Sequence, residues 1–303
     1  DDFKYVKNHK NVKFMKGNLI DKGFYDTLPK NYFDQIYHLA AVNGTGNFYK
    51  FPVKVLKVGI IGMINLLDWL VEQDKGKLLF TSSSETYSGT LSVLGEKNFP
   101  IPTPETIPLT IDDVSNVRWS YGGGKLLSEI ALYSYREMCG LDRFSIVRLH
   151  NIYGPRMGFE HVIPQFIERI LKKEFPFKIY GGEETRSFCY INDVLDSLTH
   201  IMESDETNGE IYNVGNDDEE IKIMDLAKNL FEIADVNPDI KVLPAPQGSV
   251  SRRCPDITKL KSIGYEKQTS LEEGLNNTFE WYKNHYEWYS KKYTKGVYSN
   301  ETK

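Results

Sequence analysis

The sequence predicts an α/β protein: a doubly wound parallel sheet joined to a smaller mixed α/β lobe. Two observations carry that reading. Short apolar runs rich in valine, isoleucine, leucine and phenylalanine alternate with longer segments of helical period, the pattern of buried parallel strands and their crossover helices. The 303 residues carry a net charge of −5, with 40% hydrophobic and 26% charged residues, a balance that supports a buried core and excludes general disorder.

In chain order, the apolar runs 12–15, 35–39, 77–81 and 144–149 read as strands, with helices at 52–73 and 120–139 between them and a third at 163–173. Beyond residue 150 the alternation loosens. Short strands follow near 177–180 and 210–213, then helices at 222–234 and 271–289. Trp281, Tyr282, Tyr286 and Trp288 of the last helix read as packing residues. The expected division is 1–150 for the sheet domain and 151–303 for the second lobe, with some segments returning to the first. The helices at 52–73 and 120–139 carry more apolar surface than one stripe against the sheet requires, with Val53, Leu56, Ile61, Leu127, Ile130 and Met138 among the excess. A second copy of the chain covering them is the expectation, giving a homodimer.

Composition excludes several classes of function. Cys139, Cys189 and Cys254 are odd in number and widely spaced, which fits neither a disulfide framework nor a zinc site and suits a reducing cytoplasm. An acidic balance, with a pI near 5.8, argues against a nucleic-acid footprint. No stretch is long and apolar enough to span a bilayer.

The most specific local signal is Trp119-Ser120-Tyr121-Gly122-Gly123-Gly124-Lys125 at the start of a helix. Tyrosine and lysine four apart share a face, so the ammonium can approach the phenol and favour phenolate. A free phenol titrates near about pH 10, and each unit of downward shift requires about 1.4 kcal/mol. A general base at neutral pH is the expected result. The alternative is an ordinary amphipathic pair, but three helical glycines cost about 1 kcal/mol each relative to alanine and call for a close approach of ligand or backbone. Upstream, the strand at 77–81 runs into Ser82-Ser83-Ser84-Glu85, hydroxyls and a carboxylate at a strand's carboxyl end, where open α/β sheets bind ligands.

These segments, followed by Arg148-Leu149-His150-Asn151-Ile152-Tyr153-Gly154-Pro155-Arg156, Tyr180-Gly181-Gly182, Thr185-Arg186-Ser187, Tyr212-Asn213-Val214-Gly215 and Arg253-Cys254-Pro255-Asp256, resemble the NAD-dependent epimerase/dehydratase family of extended short-chain dehydrogenases. The motifs stand in the family's order over nearly the whole chain. The resemblance implies a Rossmann-like first domain that holds NAD and a second lobe that holds a nucleotide-diphosphate sugar. By that analogy Tyr121 takes the proton of the sugar 4-hydroxyl, Lys125 holds the nicotinamide ribose and polarises Tyr121, and Ser83 hydrogen-bonds the 4-oxygen. Asn18, Leu19, Leu39, Ala40 and Ala41 match positions that contact the cofactor. Ser84, Asn151, Tyr180, Arg186 and Arg253 match substrate positions, the arginines suiting a diphosphate. Glu85 stands where 4,6-dehydratases and nucleotide-sugar decarboxylases place an acid–base residue for C5 or C6, whereas pure 4-epimerases need none there; capping or ion pairing is its alternative role.

The sequence departs from the family at several points. Gly59-Ile60-Ile61-Gly62 stands where an Asn-x-x-Gly is usual, so a buttressing amide is expected to be missing. His161 is either near the base or sugar, or simply packed. The family's first strand, Gly-x-x-Gly-x-x-Gly turn and helix, which hold the NAD pyrophosphate, have no counterpart; Asn43-Gly44-Thr45-Gly46 reads instead as a substrate-side loop. The expectation is a fragment whose native product carries about 30 to 50 further residues upstream. Three functions therefore stand: an NAD-dependent nucleotide-sugar epimerase, dehydratase or decarboxylase; a non-catalytic sugar-nucleotide-binding dimer; and a reductase of a non-nucleotide substrate, against which the pair Arg186 and Arg253 argues.

Overall fold

A computed structural model of the chain describes residues 6–245 and 250–296. Its central sheet has four parallel strands in chain order: β1 (Gln35–His38), β2 (Lys77–Ser83), β3 (Phe144–Leu149) and a strand returning from the second half, Glu210–Val214. Alternation along β2 and β3 explains the layers. Leu78, Phe80, Phe144 and Ile146 face one way, into a core shared with the helices Pro52–Leu70 and Trp119–Cys139. Leu79 and Val147 face the other way, into a core with Val194, Leu198 and Ile201 of the helix Ile191–Glu203. Strands covered on both faces read as unbroken apolar runs, which is why they were legible.

Local chemistry sets the helix ends. Pro52 opens the first long helix, where its missing N–H costs nothing. Gly140, in the left-handed region at φ 71°, closes the second, its N–H donating to the Arg136 carbonyl. The second lobe pairs Phe177–Tyr180 with Ile240–Leu243 and builds a three-stranded sheet from Arg252–Arg253, Thr185–Ser187 and Glu220–Lys222. Its core gathers Phe166, Phe177, Phe231 and Tyr282 beneath the helices Val162–Leu171, Ile223–Ile233 and Leu271–Gly296.

One expectation is corrected. Residues 12–15 form no strand, and Val12, Phe14 and Met15 are exposed. A strand needs a ladder partner, and among the described residues none lies beside this segment. The turn at Asn18 and Leu19 instead packs on the first long helix: Gly62 admits Leu19, whose Cβ would stand 3.3 Å from a Cβ at 62. Gly59 leaves the usual position without an amide, while Asn65 Nδ2, further along the helix, donates to the Leu19 carbonyl at 3.1 Å.

Under the carboxyl ends of the strands runs a buried polar network. Arg148 forks onto Glu129 at 3.1 and 2.7 Å and donates to Tyr87 at 2.8 Å; Ser82 donates to Glu129, and Tyr87 to Asn213. His150 shares the Asn213 amide oxygen at 3.0 Å. Every member is satisfied, which a buried charged network requires. No helix among the described residues is long and apolar enough to cross a membrane.

Candidate active site

The site forms where β2 leaves the sheet. Ser83 ends the strand and accepts from the Glu85 N–H at 3.2 Å, capping the short 3-10 turn Ser84–Tyr87. That cap aims Glu85 across to the start of the helix Trp119–Cys139. Gly122 allows the approach: a Cβ there would lie 3.3 Å from the Glu85 carbonyl oxygen and 3.2 Å from the Trp119 ring. The backbone approach expected of the glycine triplet is therefore present at Gly122, while Gly124 faces open space.

Tyr121 stacks on Phe48, with centroids 4.5 Å apart and planes 12° from parallel. Its phenol is pushed up to about 12, mainly by burial; the Ser83 side chain opposes the rise and the Glu85 charge adds to it. The expected phenolate at neutral pH is thus corrected for the protein alone. The reason is that burial; the Lys125 ammonium donates to the Thr81 carbonyl at 2.5 Å and lies 4.8 Å from the Phe80 ring and 5.8 Å from the Tyr121 ring centre. Burial lowers Lys125 to about 8, against the pull of Glu129 one turn further on.

A narrow cleft opens beside Tyr121 and Lys125, lined also by Ala40, Ala41, Gly59, Ser120 and Gly124. Gly59 and Gly124 have nothing within 4 Å of where a Cβ would be. The Ser120 hydroxyl is buried there without a partner, a donor waiting for a ligand acceptor. Leu39 is exposed next to this cleft.

On the other side of Gly122 lies a cleft of about 410 Å³, lined by Glu85, Glu96, Asp112, Arg118 and Arg253 among others. Two arginines hold Glu85 within it. Burial pushes its carboxyl up, but Arg253 and Arg118 together outweigh burial and hold it below the usual carboxylate range. Arg118 donates through Nε at 3.2 Å and Nη2 at 2.7 Å, and Arg253 through Nη1 at 3.0 Å. Arg253 and Arg186 stand opposite each other on paired parallel strands, like charges that are each offset by a carboxylate: Glu85 for Arg253 and Glu184, at 3.0 Å, for Arg186. Ser84 borders a small neighbouring cavity with His150 and Arg253.

Other expected contacts are less direct. Asn151, at φ 43°, donates its amide to the Ser187 carbonyl at 3.0 Å, and Tyr180 is exposed on its strand. His161 precedes the helix Val162–Leu171, and burial lowers its pKa.

Two residues escaped the sequence reading. Phe48 gave no signal, since its partner Tyr121 is remote in sequence. Arg118 did give one: a cation at the N-terminal end of a helix opposes the helix dipole, so its presence calls for an anionic partner.

Comparison with known proteins bears on this geometry. The model of the NAD dependent epimerase/dehydratase family matches residues 2–215. The chain is 36% identical over 246 residues to UDP-glucuronic acid decarboxylase 5 of Arabidopsis thaliana, covering 80% of this chain and 68% of that one. It is 31% identical over 284 residues to UDP-N-acetyl-alpha-D-glucosaminuronate decarboxylase of Bacillus cytotoxicus, covering 90% and 84%. The fold is similar, at a TM-score of 0.78 and 28% identity, to UDP-glucose 4-epimerase of Thermotoga maritima crystallised with UDP-glucose, covering 92% and 86% of the two chains.

Proposed function

The chain belongs to the NAD dependent epimerase/dehydratase family, and from that premise we propose that it transiently oxidises C4 of a UDP-hexuronic acid and uses the resulting ketone to release the C6 carboxylate as carbon dioxide. Its general chemistry is NAD-dependent and acts on nucleotide sugars. The cleft beside Tyr121 fits the nicotinamide half of the cofactor: it offers the unpartnered Ser120 hydroxyl, the Lys125 ammonium and the open faces of Gly59 and Gly124. When bound, NAD supplies the acceptor and later the donor of the C4 hydride.

In this reading Ser83 holds the sugar 4-oxygen and Tyr121 moves its proton, while Lys125, fixed by Thr81, offsets the charge as the phenol ionises. Arg186 and Arg253 bind the diphosphate. A 4-ketone lies β to the C6 carboxylate, so the C5–C6 electrons pass into an enolate as carbon dioxide leaves. A proton must then be delivered at C5, and Glu85 is the titratable group suited to carry it.

The observation that carries the proposal is the Glu85 carboxyl bridged in the cleft by two arginines, Arg118 at 2.7 Å and Arg253 at 3.0 Å. An anionic carboxylate facing an anionic sugar needs compensating cations, and Arg118 and Arg253 supply them. The names of the two decarboxylases support the same choice. The similarity to a UDP-glucose 4-epimerase keeps plain 4-epimerisation as the second reading. Incubating the holoenzyme with UDP-hexuronic acids and UDP-hexoses and weighing the products separates them. Loss of carbon dioxide is expected; loss of water or unchanged mass would replace decarboxylation with dehydration or epimerisation.

The apolar outer face of the two long helices supports a homodimer. Val53, Leu56, Leu127, Ile130 and Met138 are exposed there, more apolar surface than single scattered residues would give. Light scattering should return a dimer for the native chain and a monomer for Leu127→Glu/Ile130→Glu; one unchanged mass for both would remove this face as the interface.

A further inference from the structure

The two arginines on Glu85 have different second attachments. Arg253 belongs to the strand Arg252–Arg253, faces Arg186 across the ladder, and lines both the large cleft and its small neighbour. Arg118 stands at the edge of the helix Trp119–Cys139, and its guanidinium forks onto Oε2 alone. Both line the large cleft, but only Arg253 stands beside Arg186 and the small cavity, which makes it the partner an incoming diphosphate competes for and Arg118 the one it leaves in place.

Resting on the reading of a nucleotide-diphosphate sugar, we propose that Arg118 is the positioning residue of Glu85: it keeps the carboxylate aimed into the cleft when substrate draws Arg253 away, so that binding itself releases Glu85 for proton transfer. The charged or titratable groups facing Glu85 among the described residues are Arg118 and Tyr121 from the start of the long helix and Arg253 from its strand, with Glu96 and Asp112 further along the cleft. Burial pushes Glu85 up while the arginines hold it down. Losing one of them moves the carboxyl toward the range in which proton transfer near neutrality is efficient.

Two measurements test this. The first is calorimetry of UDP-glucose binding at mildly acidic pH in buffers of different ionisation enthalpy; the diphosphate diester of this probe does not itself titrate there. Native protein should take up protons on binding and Glu85→Gln should not; equal uptake by both overturns the exchange of Arg253. The second compares Arg118→Gln and Arg118→Lys with the native holoenzyme during turnover. The glutamine variant should lose about 100-fold in kcat with KM within about threefold, the scale of one misplaced acid–base group. Reduced cofactor should still appear by absorbance, and the alkaline limb of the kcat profile should move to higher pH, because Glu85, the donor of the C5 proton, keeps its proton more readily with one cation fewer. Lysine should restore part of the rate. A raised KM with native kcat, an unmoved alkaline limb, or equal loss of the C4 oxidation would assign Arg118 a structural or binding role instead. If the native enzyme neither reduces its cofactor nor converts any nucleotide sugar, the functional reading falls and takes this proposal with it; conversion by the native enzyme with negative variants removes Arg118 alone.

Discussion

Tyr121→Phe should lower turnover by about 10³-fold or more while nucleotide-sugar affinity stays within about threefold, since the change deletes only a proton-transfer group. The geometry supports so clean an effect. The ring is held by its stack on Phe48, a contact that phenylalanine keeps. The phenol's resting preference for its proton, about 12 in the protein alone, adds a second consequence: residual turnover should rise with pH in the native enzyme and lose that dependence in the variant. Single-turnover absorbance and calorimetric affinity measure the two halves separately. Collapse of affinity with an intact chemical step would move Tyr121 from proton transfer to binding.

Glu85→Gln should leave C4 oxidation running and stall everything after it, slowing overall turnover by about 10²- to 10³-fold. The amide keeps the shape and can still accept from Arg118, but it carries neither charge nor a transferable proton. It also relaxes the hold on Arg253, so nucleotide-sugar affinity should be unchanged or tighter. Stopped-flow absorbance should show reduced cofactor accumulating and persisting. A variant that converts substrate at the native rate would make Glu85 structural and restore plain 4-epimerisation as the better reading.

These expectations depend on what the sequence made legible. The strands of the sheet were readable from short apolar runs such as Leu78-Leu79-Phe80 within Lys77–Ser83, and the helix Trp119–Cys139 was readable from its Tyr-x-x-x-Lys face. Residues 12–15 misled, because an apolar run states a preference for burial and not the presence of a neighbouring strand. The same limit applied at the site. Spacing put Tyr121 and Lys125 on one face, but it could not say that Lys125 would turn to the Thr81 carbonyl, nor that desolvation would outweigh a cation on that face. Glu85 was found from its place after a strand; its partnership with Arg253 spans 168 positions and exists only in the folded chain.

The buried network of Ser82, Glu129, Arg148, Tyr87, Asn213 and His150 has a consequence for how this protein can change. Each member answers the hydrogen-bonding demand of another, so removing one strands its neighbour in a medium that charges heavily for an unpaired group. Substitutions within such a set are strongly non-additive. In evolutionary terms these positions form one linked block, with single steps closed and concerted replacement the only open route. Variation in substrate preference is thereby channelled outward, to cleft residues such as Leu91, Ser92 and Asn116, whose exchange leaves the floor beneath the reacting groups as it was.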